Sequence, residues 1–347
     1  MTSNSKTARE YTLFDVKFSL VFWTLINLVV RLTVLIAVIV LFLGSVMITM
    51  RHGQQYVWLP IIFVPTFVFS ILCFFISQAI TRRLTARRAL LFKKKFTESA
   101  FKTILQSEVY EQKSDFTSLI RTSGAICRDW RTAYVNDYAV GTRRNQRFLM
   151  LDITLSGGFK TLFQGQLYII ELPRTLLGRS FEIQTEIINQ THDFDTCDAM
   201  KNAMFKDEFV ISYPRDKYRD KYTVYNILND YGFSGQDDPD QFSPEDKFSP
   251  YQLLNSDFAH CLTELREYHS GIFVHINKNY LLITLGGIEN DHDNYFEPHL
   301  LDIFRTEEAI IKRVTDEVRT CTTELDMILD ATHLNPERTA TVMDISE

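Results

Sequence analysis

QRFLMLDITLSGGFKTLFQGQLYIIEL, residues 146–172, decides the fold. Two runs within it, QRFLMLDITL (146–155) and FKTLFQGQLYIIEL (159–172), are enriched in β-branched and aromatic residues and partly alternate in polarity, as strands do. Gly157 and Gly158 between them supply the backbone freedom of a tight reversal, so the pair reads as a β-hairpin. Outward from this pair, RSFEIQTEII (179–188) and DEFVISYP (207–214) read as strands, with Gly178 marking a reversal. GIFVHI (271–276) and YLLITLGG (280–287) flank Asn277-Lys278-Asn279 as a second hairpin. IRTSGAICRDWRTAYV (120–135) is mixed in character. An antiparallel sheet of roughly six to eight strands is expected.

Helices accompany the sheet, giving an α+β class. Tyr251 to Tyr268 has helical periodicity through Leu253, Leu254, Phe258, Cys261, Leu262 and Leu265. A long helix is expected from Pro298 to Thr332, with an apolar stripe of Phe304, Ile311, Val314, Val318, Cys321, Leu325 and Ile328. From Ile311 its spacing alternates three and four, like a heptad seam. Such a stripe either packs on the domain's own sheet or on the helix of 81–107, or it joins two copies of the chain. The Gly-, Ser-, Pro- and Asp-rich stretch 232–250 reads as an exposed loop without calcium-loop spacing.

The N-terminal quarter is of another kind. Leu32 to Met50 (LTVLIAVIVLFLGSVMITM) and Tyr56 to Ile80 (YVWLPIIFVPTFVFSILCFFISQAI) carry no charge. About 20 apolar residues cross a bilayer as a helix, and only RHGQQ (51–55) separates the two runs, so an antiparallel transmembrane hairpin is expected. TRRLTARRALLFKKKF (81–96) follows, with Arg82, Arg83, Arg87, Arg88, Lys93, Lys94 and Lys95 and no acid. The positive-inside rule places that flank, and with it both termini, in the cytoplasm of a multi-pass inner-membrane protein. Phe18 to Val30 is a further apolar stretch that extends the first helix inward past Arg31 or lies along the interface. Pro65 is expected to kink the second span. The seven cations are expected to meet anionic lipid headgroups, or only to enforce topology.

Residues 1–95 hold 12 Lys and Arg against Glu10 and Asp15, a net of +10, while the rest carries a net of −16. An acidic soluble part disfavours nucleic acid. Cys73, Cys127, Cys197, Cys261 and Cys321 are scattered and show no zinc or disulfide spacing. No histidine pair, phosphate loop or nucleophile elbow occurs, so neither catalytic residues nor a cofactor or metal site is assigned.

VNDYAVG (135–141), TLFQGQLYIIEL (161–172), FKDEFVISY (205–213), GIFVHINKNYLLITLGG (271–287) and YFEP (295–298) together resemble the bacterial "domain of unknown function 3137" family over residues 80–325. The resemblance implies an N-terminal membrane hairpin, a basic juxtamembrane helix and a cytoplasmic α+β domain. It implies no activity and carries no functional residues with it.

The expected organisation is a cytoplasmic, partly interfacial segment (1–31), a transmembrane hairpin (32–80), a basic juxtamembrane helix (81–107), an α+β domain (108–332) and a tail (333–347). The expected function is a non-enzymatic membrane-anchored adaptor or scaffold that binds a protein partner or itself. The seam Phe304, Ile311, Val314, Val318, Leu325 and Ile328 is its candidate interface. The alternative is a ligand-sensing effector whose hairpins oligomerise to permeabilise or remodel the bilayer.

Overall fold

The computed structural model describes residues 22, 25–26, 28–33, 36, 39, 58–112, 115–123, 130–158, 160–172, 175–176, 181–185, 195–196, 209–213, 228, 231, 233, 247–248, 253, 256–277, 280–287, 296–298, 302 and 305–332, without the side chains of 58–67, 69–70, 73, 122–123, 175–176, 181–182, 184–185, 195–196, 209–213, 247–248, 277 and 287. Two compact units divide the chain, one comprising Met1–Phe96 with Glu297–Thr306, the other Thr97–Phe296 with Glu307–Glu347.

In the first unit, the described residues between 22 and 39 are helical, and helix α1 spans Trp58–Phe92. Among the described residues no helix is long and apolar enough to cross a membrane. Residues 40–57, which hold the end of the first expected span and the linking loop, lie outside the described residues, as do Glu10, Asp15 and Lys17.

The second unit is built on a nine-stranded antiparallel sheet. Its strands are β1 (Ser107–Gln112), β2 (Thr132–Arg143), β3 (Gln146–Ser156), β4 (Thr161–Glu171), β6 (Phe181–Thr185), β7 (Asp195–Thr196), β8 (Phe209–Tyr213), β10 (Gly271–Asn277) and β11 (Tyr280–Gly287). Their order is β1-β2-β3-β4-β11-β10-β6-β8-β7. Two short strands, β5 (Thr175–Leu176) and β9 (Lys247–Phe248), pair in parallel apart from it. The helices are α2 (Thr117–Ser123), α3 (Ser256–Tyr268) and α4 (Glu307–Ala331).

The β3–β4 hairpin forms as its glycines require. Gly157 N–H donates to Lys160 O at 2.9 Å, and Gly158 sits at φ 91°. The β2–β3 hairpin was not legible in the same way. Arg144 and Asn145 close it at φ 51° and 63°, the two positive values of a twist-matched two-residue turn, with only Asn145 as a sequence cue. The helix expected to run to about Ser107 ends at Leu105. Gln106 takes a left-handed conformation (φ 59°) and donates its N–H to Phe101 O, which turns the chain into β1.

The central strands are buried on both faces. Leu149, Leu151, Ile153, Leu155, Phe163, Leu167, Ile169, Phe273, Tyr280 and Leu282 face a cluster with Phe116, with Leu119 and Ile120 of α2 after it, and with Trp130, Leu228 and Phe233. The opposite face carries Phe148, Met150, Tyr168, Ile170, Leu281, Ile283 and Leu285, all at most 2% exposed. Helix α4 lies over this second face, since the Tyr168 hydroxyl donates to Cys321 O at 3.3 Å and Arg143 is bidentate to Asp326 at 2.6 Å for both bonds.

Helix α4 thereby settles the seam. Val314, Val318, Leu325 and Ile328 are at most 1% exposed within their own domain, packing with α3 and the helical residues 97–105. They are buried against their own domain, one of the two packings expected of the stripe. Ile311 is 46% exposed, one residue off the buried stripe that Ile310 occupies, and Phe304 lies outside the described residues. The helix starts at Glu307 rather than Pro298.

Gly165 and Gly286 face one another across β4 and β11. A Cβ on Gly286 would stand 2.1 Å from Gln164 O, and one on Gly165 would stand 2.1 Å from Leu285 O. Backbone cannot yield as a side-chain tip does, so Gly286→Val should lower the unfolding free energy of the full chain by at least about 3 kcal/mol. Urea unfolding followed by tryptophan fluorescence measures it, and an unchanged midpoint would refute the close-approach account.

Candidate membrane-facing surface and buried polar cluster

In the first unit, the seven cations of 81–95 divide. Arg82, Arg83, Arg87, Lys94 and Lys95 are exposed. Arg88 and Lys93 are only 4% and 3% exposed. Lys93 is ion-paired with Glu297. Burial lowers the Arg88 pKa, and the nearby Asp302 carboxylate acts in the opposite direction. Asp302 is itself fully buried and lies 3.5 Å from Arg305. Arg88 and Lys93 are therefore removed from the set expected to touch lipid headgroups, because their charges are used inside the unit.

The same unit leaves much apolar surface uncovered. Val68 is 59% exposed, Leu72 55%, Phe75 64% and Ile76 50%, and Leu25, Leu28, Leu32 and Ile36 are each more than half exposed. Arg31 lies within 3.5 Å of the Gln78 amide oxygen and 5.7 Å above the Phe74 ring centroid. The start of the first apolar run thus lies beside the end of the second.

In the second unit the sheet face beneath α4 holds a polar row that the sequence reading did not single out. Asp137 of β2, Asp152 of β3 and Gln166 of β4 are in register. They are 1%, 7% and 1% exposed. The bulge between Val135 and Asp137 turns Asn136 so that its amide donates to Asp152 at 3.3 Å. The Tyr110 hydroxyl donates to Asp137 at 2.5 Å. Two residues along β4, Tyr168 donates to Glu324 at 3.1 Å, and His269 Nε2 lies 3.0 Å from the other Glu324 oxygen. Further along α4, Glu317 is ion-paired with Arg313 and accepts the Phe296 N–H at 2.9 Å. Both polar atoms of the Gln166 amide are buried without a hydrogen-bond partner among the described residues. The available signal was a polar residue inside an apolar run buried on both sides, as in FLMLDITL and FQGQLYII.

Tyr168 and Cys321, at the contact of α4 with β4, are held in their protonated forms. Burial, then the neighbouring Cys321 and Glu324, push the Tyr168 pKa well above its usual value. Burial, then Glu324, push Cys321 well up too. Burial raises Cys261 to about 12. A thiol held protonated is a poor nucleophile and a poor metal ligand. Among the described residues no group of three or more His, Cys, Asp or Glu is arranged to hold a metal ion.

Tyr168 and Cys321 give the domain an alkaline limit. Both are protonated in the fold, whereas their ordinary pKa values are 10.0 and 9.0. Their contribution is whole at neutral pH and is lost as the pH rises past about 9, at up to about 1.4 kcal/mol per pH unit for each group. Tyr168→Phe/Cys321→Ala should lower stability at neutral pH by about 1–3 kcal/mol through the unpaired Glu324 oxygen, and flatten the decline above pH 9. Urea midpoints across that range test it, and a variant with the wild-type alkaline slope would refute it.

No family model, no curated protein and no solved structure matches this chain.

Proposed function

We propose that the chain is a membrane-anchored, non-enzymatic adaptor whose acidic α+β domain binds a protein partner at the cytoplasmic surface. Residues 32–50 and 56–80 serve as an antiparallel two-helix anchor with both termini inside. The observation that carries this reading is the apolar surface of the first unit. Val68, Leu72, Phe75 and Ile76 are each at least half exposed, and contiguous apolar area of that kind in water marks an interface with lipid or protein. Two uncharged runs of 19 and 25 residues support lipid. The contact of Arg31 with Gln78 supports an antiparallel arrangement, because only that arrangement puts the start of one run level with the end of the other. With the seam of α4 buried at home, a different protein is favoured over a second copy as partner. The resemblance to the "domain of unknown function 3137" family is retained as part of this proposal.

The anchor has a direct test. His52→Cys in the short loop should react with a membrane-impermeant maleimide from the outside of sealed membranes, while Glu347→Cys should react only after permeabilisation. Labelling of both positions from outside would refute the orientation, and release of the chain by alkaline carbonate would refute the anchor. Chemical crosslinking in native membranes should then give one dominant heteromeric band, and a chain that remains uncrosslinked under several chemistries would refute the adaptor.

A further inference from the structure

Arg31 and Arg82 are the two guanidinium groups of the first unit that flank Gln78. Arg31 reaches the Gln78 amide oxygen from the neighbouring helical segment. Arg82 is one turn further along α1, on the same stripe as Gln78, Thr81, Thr85 and Ala86, which together line a groove of about 310 Å³. The hydroxyls of Thr81 and Thr85 donate back to Ser77 O and Thr81 O, at 2.8 and 2.9 Å.

The charges around this groove do not balance. Acidic residues are scarce in the unit. Of its described acids, Glu297 is paired with Lys93, and Asp302 lies beside Arg88 and Arg305. Among the described residues, Arg31 meets an amide and an aromatic ring, both neutral. Arg31 also interrupts an apolar sequence, with Val29 and Leu32 more than half exposed on either side. Arg31 is itself exposed, so the cost arises where the anchor reading sets it, at the boundary of the bilayer, and there an anion brought from outside removes it. Guanidinium pairs match the oxygens of a phosphate by bidentate hydrogen bonding.

We propose that Arg31, Gln78 and Arg82 form a phosphate site that holds the headgroup of an anionic phospholipid in the cytoplasmic leaflet. The inference rests on the anchor reading above, which sets Arg31 and Gln78 at the inner boundary of the bilayer. The lipid is favoured over free phosphate because the groove adjoins the exposed apolar residues Phe75 and Ile76, against which acyl chains would lie. An anionic headgroup is favoured over a zwitterionic one because a choline cation would be repelled by the same two arginines.

The test uses the full chain, first in membranes and then in detergent. Retention through alkaline carbonate extraction establishes the anchor independently; release there overturns the anchor and the site with it. Native mass spectrometry of the chain with equal amounts of phosphatidylglycerol and phosphatidylcholine should show preferential retention of phosphatidylglycerol. Arg31→Gln/Arg82→Gln should reduce that preference about tenfold or more, whereas Lys160→Gln/Lys312→Gln, with the same loss of charge on exposed residues elsewhere, should leave it intact. An Arg31→Gln/Arg82→Gln chain that stays in the membrane and keeps the wild-type preference overturns the site alone. Binding of inorganic phosphate as strong as that of the lipid, with no preference between the two lipids, assigns the groove to free phosphate and overturns the lipid.

Discussion

Burial of the central strands on both faces is the constraint on which the second unit depends. Strands β3, β4, β10 and β11 pair along their whole length, so their backbone groups are satisfied by one another. Their side chains are nearly all buried whichever way they point. Such a sheet is insoluble until both faces are covered. The cluster of α2, Trp130, Leu228 and Phe233 covers one face and α4 covers the other. The glycine pair Gly165 and Gly286 is a local price of the same closeness, since β4 and β11 approach there until no Cβ fits. Helix α4 has its apolar stripe on the inside for this reason. A heptad-like spacing in one sequence states that a stripe needs a partner, and the nearest partner is the sheet of its own chain.

The polar groups under α4 follow from the same constraint. A carboxylate between a sheet and a helix is tolerable only with donors around it. Tyr110, Asn136, Tyr168 and the Phe296 N–H supply them, each from a different part of the chain. Contacts gathered from so many elements are made together or not at all, which ties the placement of α4 to the register of β2, β3 and β4. Arg143, bidentate to Asp326, fixes the far end of the helix to the same sheet. We read the row as a device that selects one docking of α4 over its neighbours, at a cost in stability that a wholly apolar face would avoid.

Sequence patterning made the strands legible where composition and turn chemistry agree. QRFLMLDITL and FKTLFQGQLYIIEL met a Gly-Gly reversal, and GIFVHI and YLLITLGG met an Asn-rich one, and each pair is a hairpin in the sheet. Strand β2 escaped because its turn is Arg144-Asn145, whose positive φ values few sequences advertise, and because its bulge at Asn136 breaks the alternation that marks a strand. Strand β1 escaped because a left-handed Gln106 ends the preceding helix without a glycine. The polar row was invisible for a different reason. Its members are 15 and 14 residues apart along the chain, and only the register brings them together.

The basic stretch after the second apolar run shows how burial divides a charge pattern that looks uniform in sequence. Topology needs only that Lys and Arg resist translocation, and for this all seven count alike. Attraction to an anionic surface needs charges in water near that surface, each worth about 1 kcal/mol there. Arg88 and Lys93 fail this second condition, since Asp302 and Glu297 are beside them inside the unit. The two acids come from residues 297–306, more than 200 positions along the chain, and there they lie beside these two cations. Burial thus splits a run that looks uniform in sequence into two cations held inside the unit, Arg88 and Lys93, and five that stand at its surface, Arg82, Arg83, Arg87, Lys94 and Lys95.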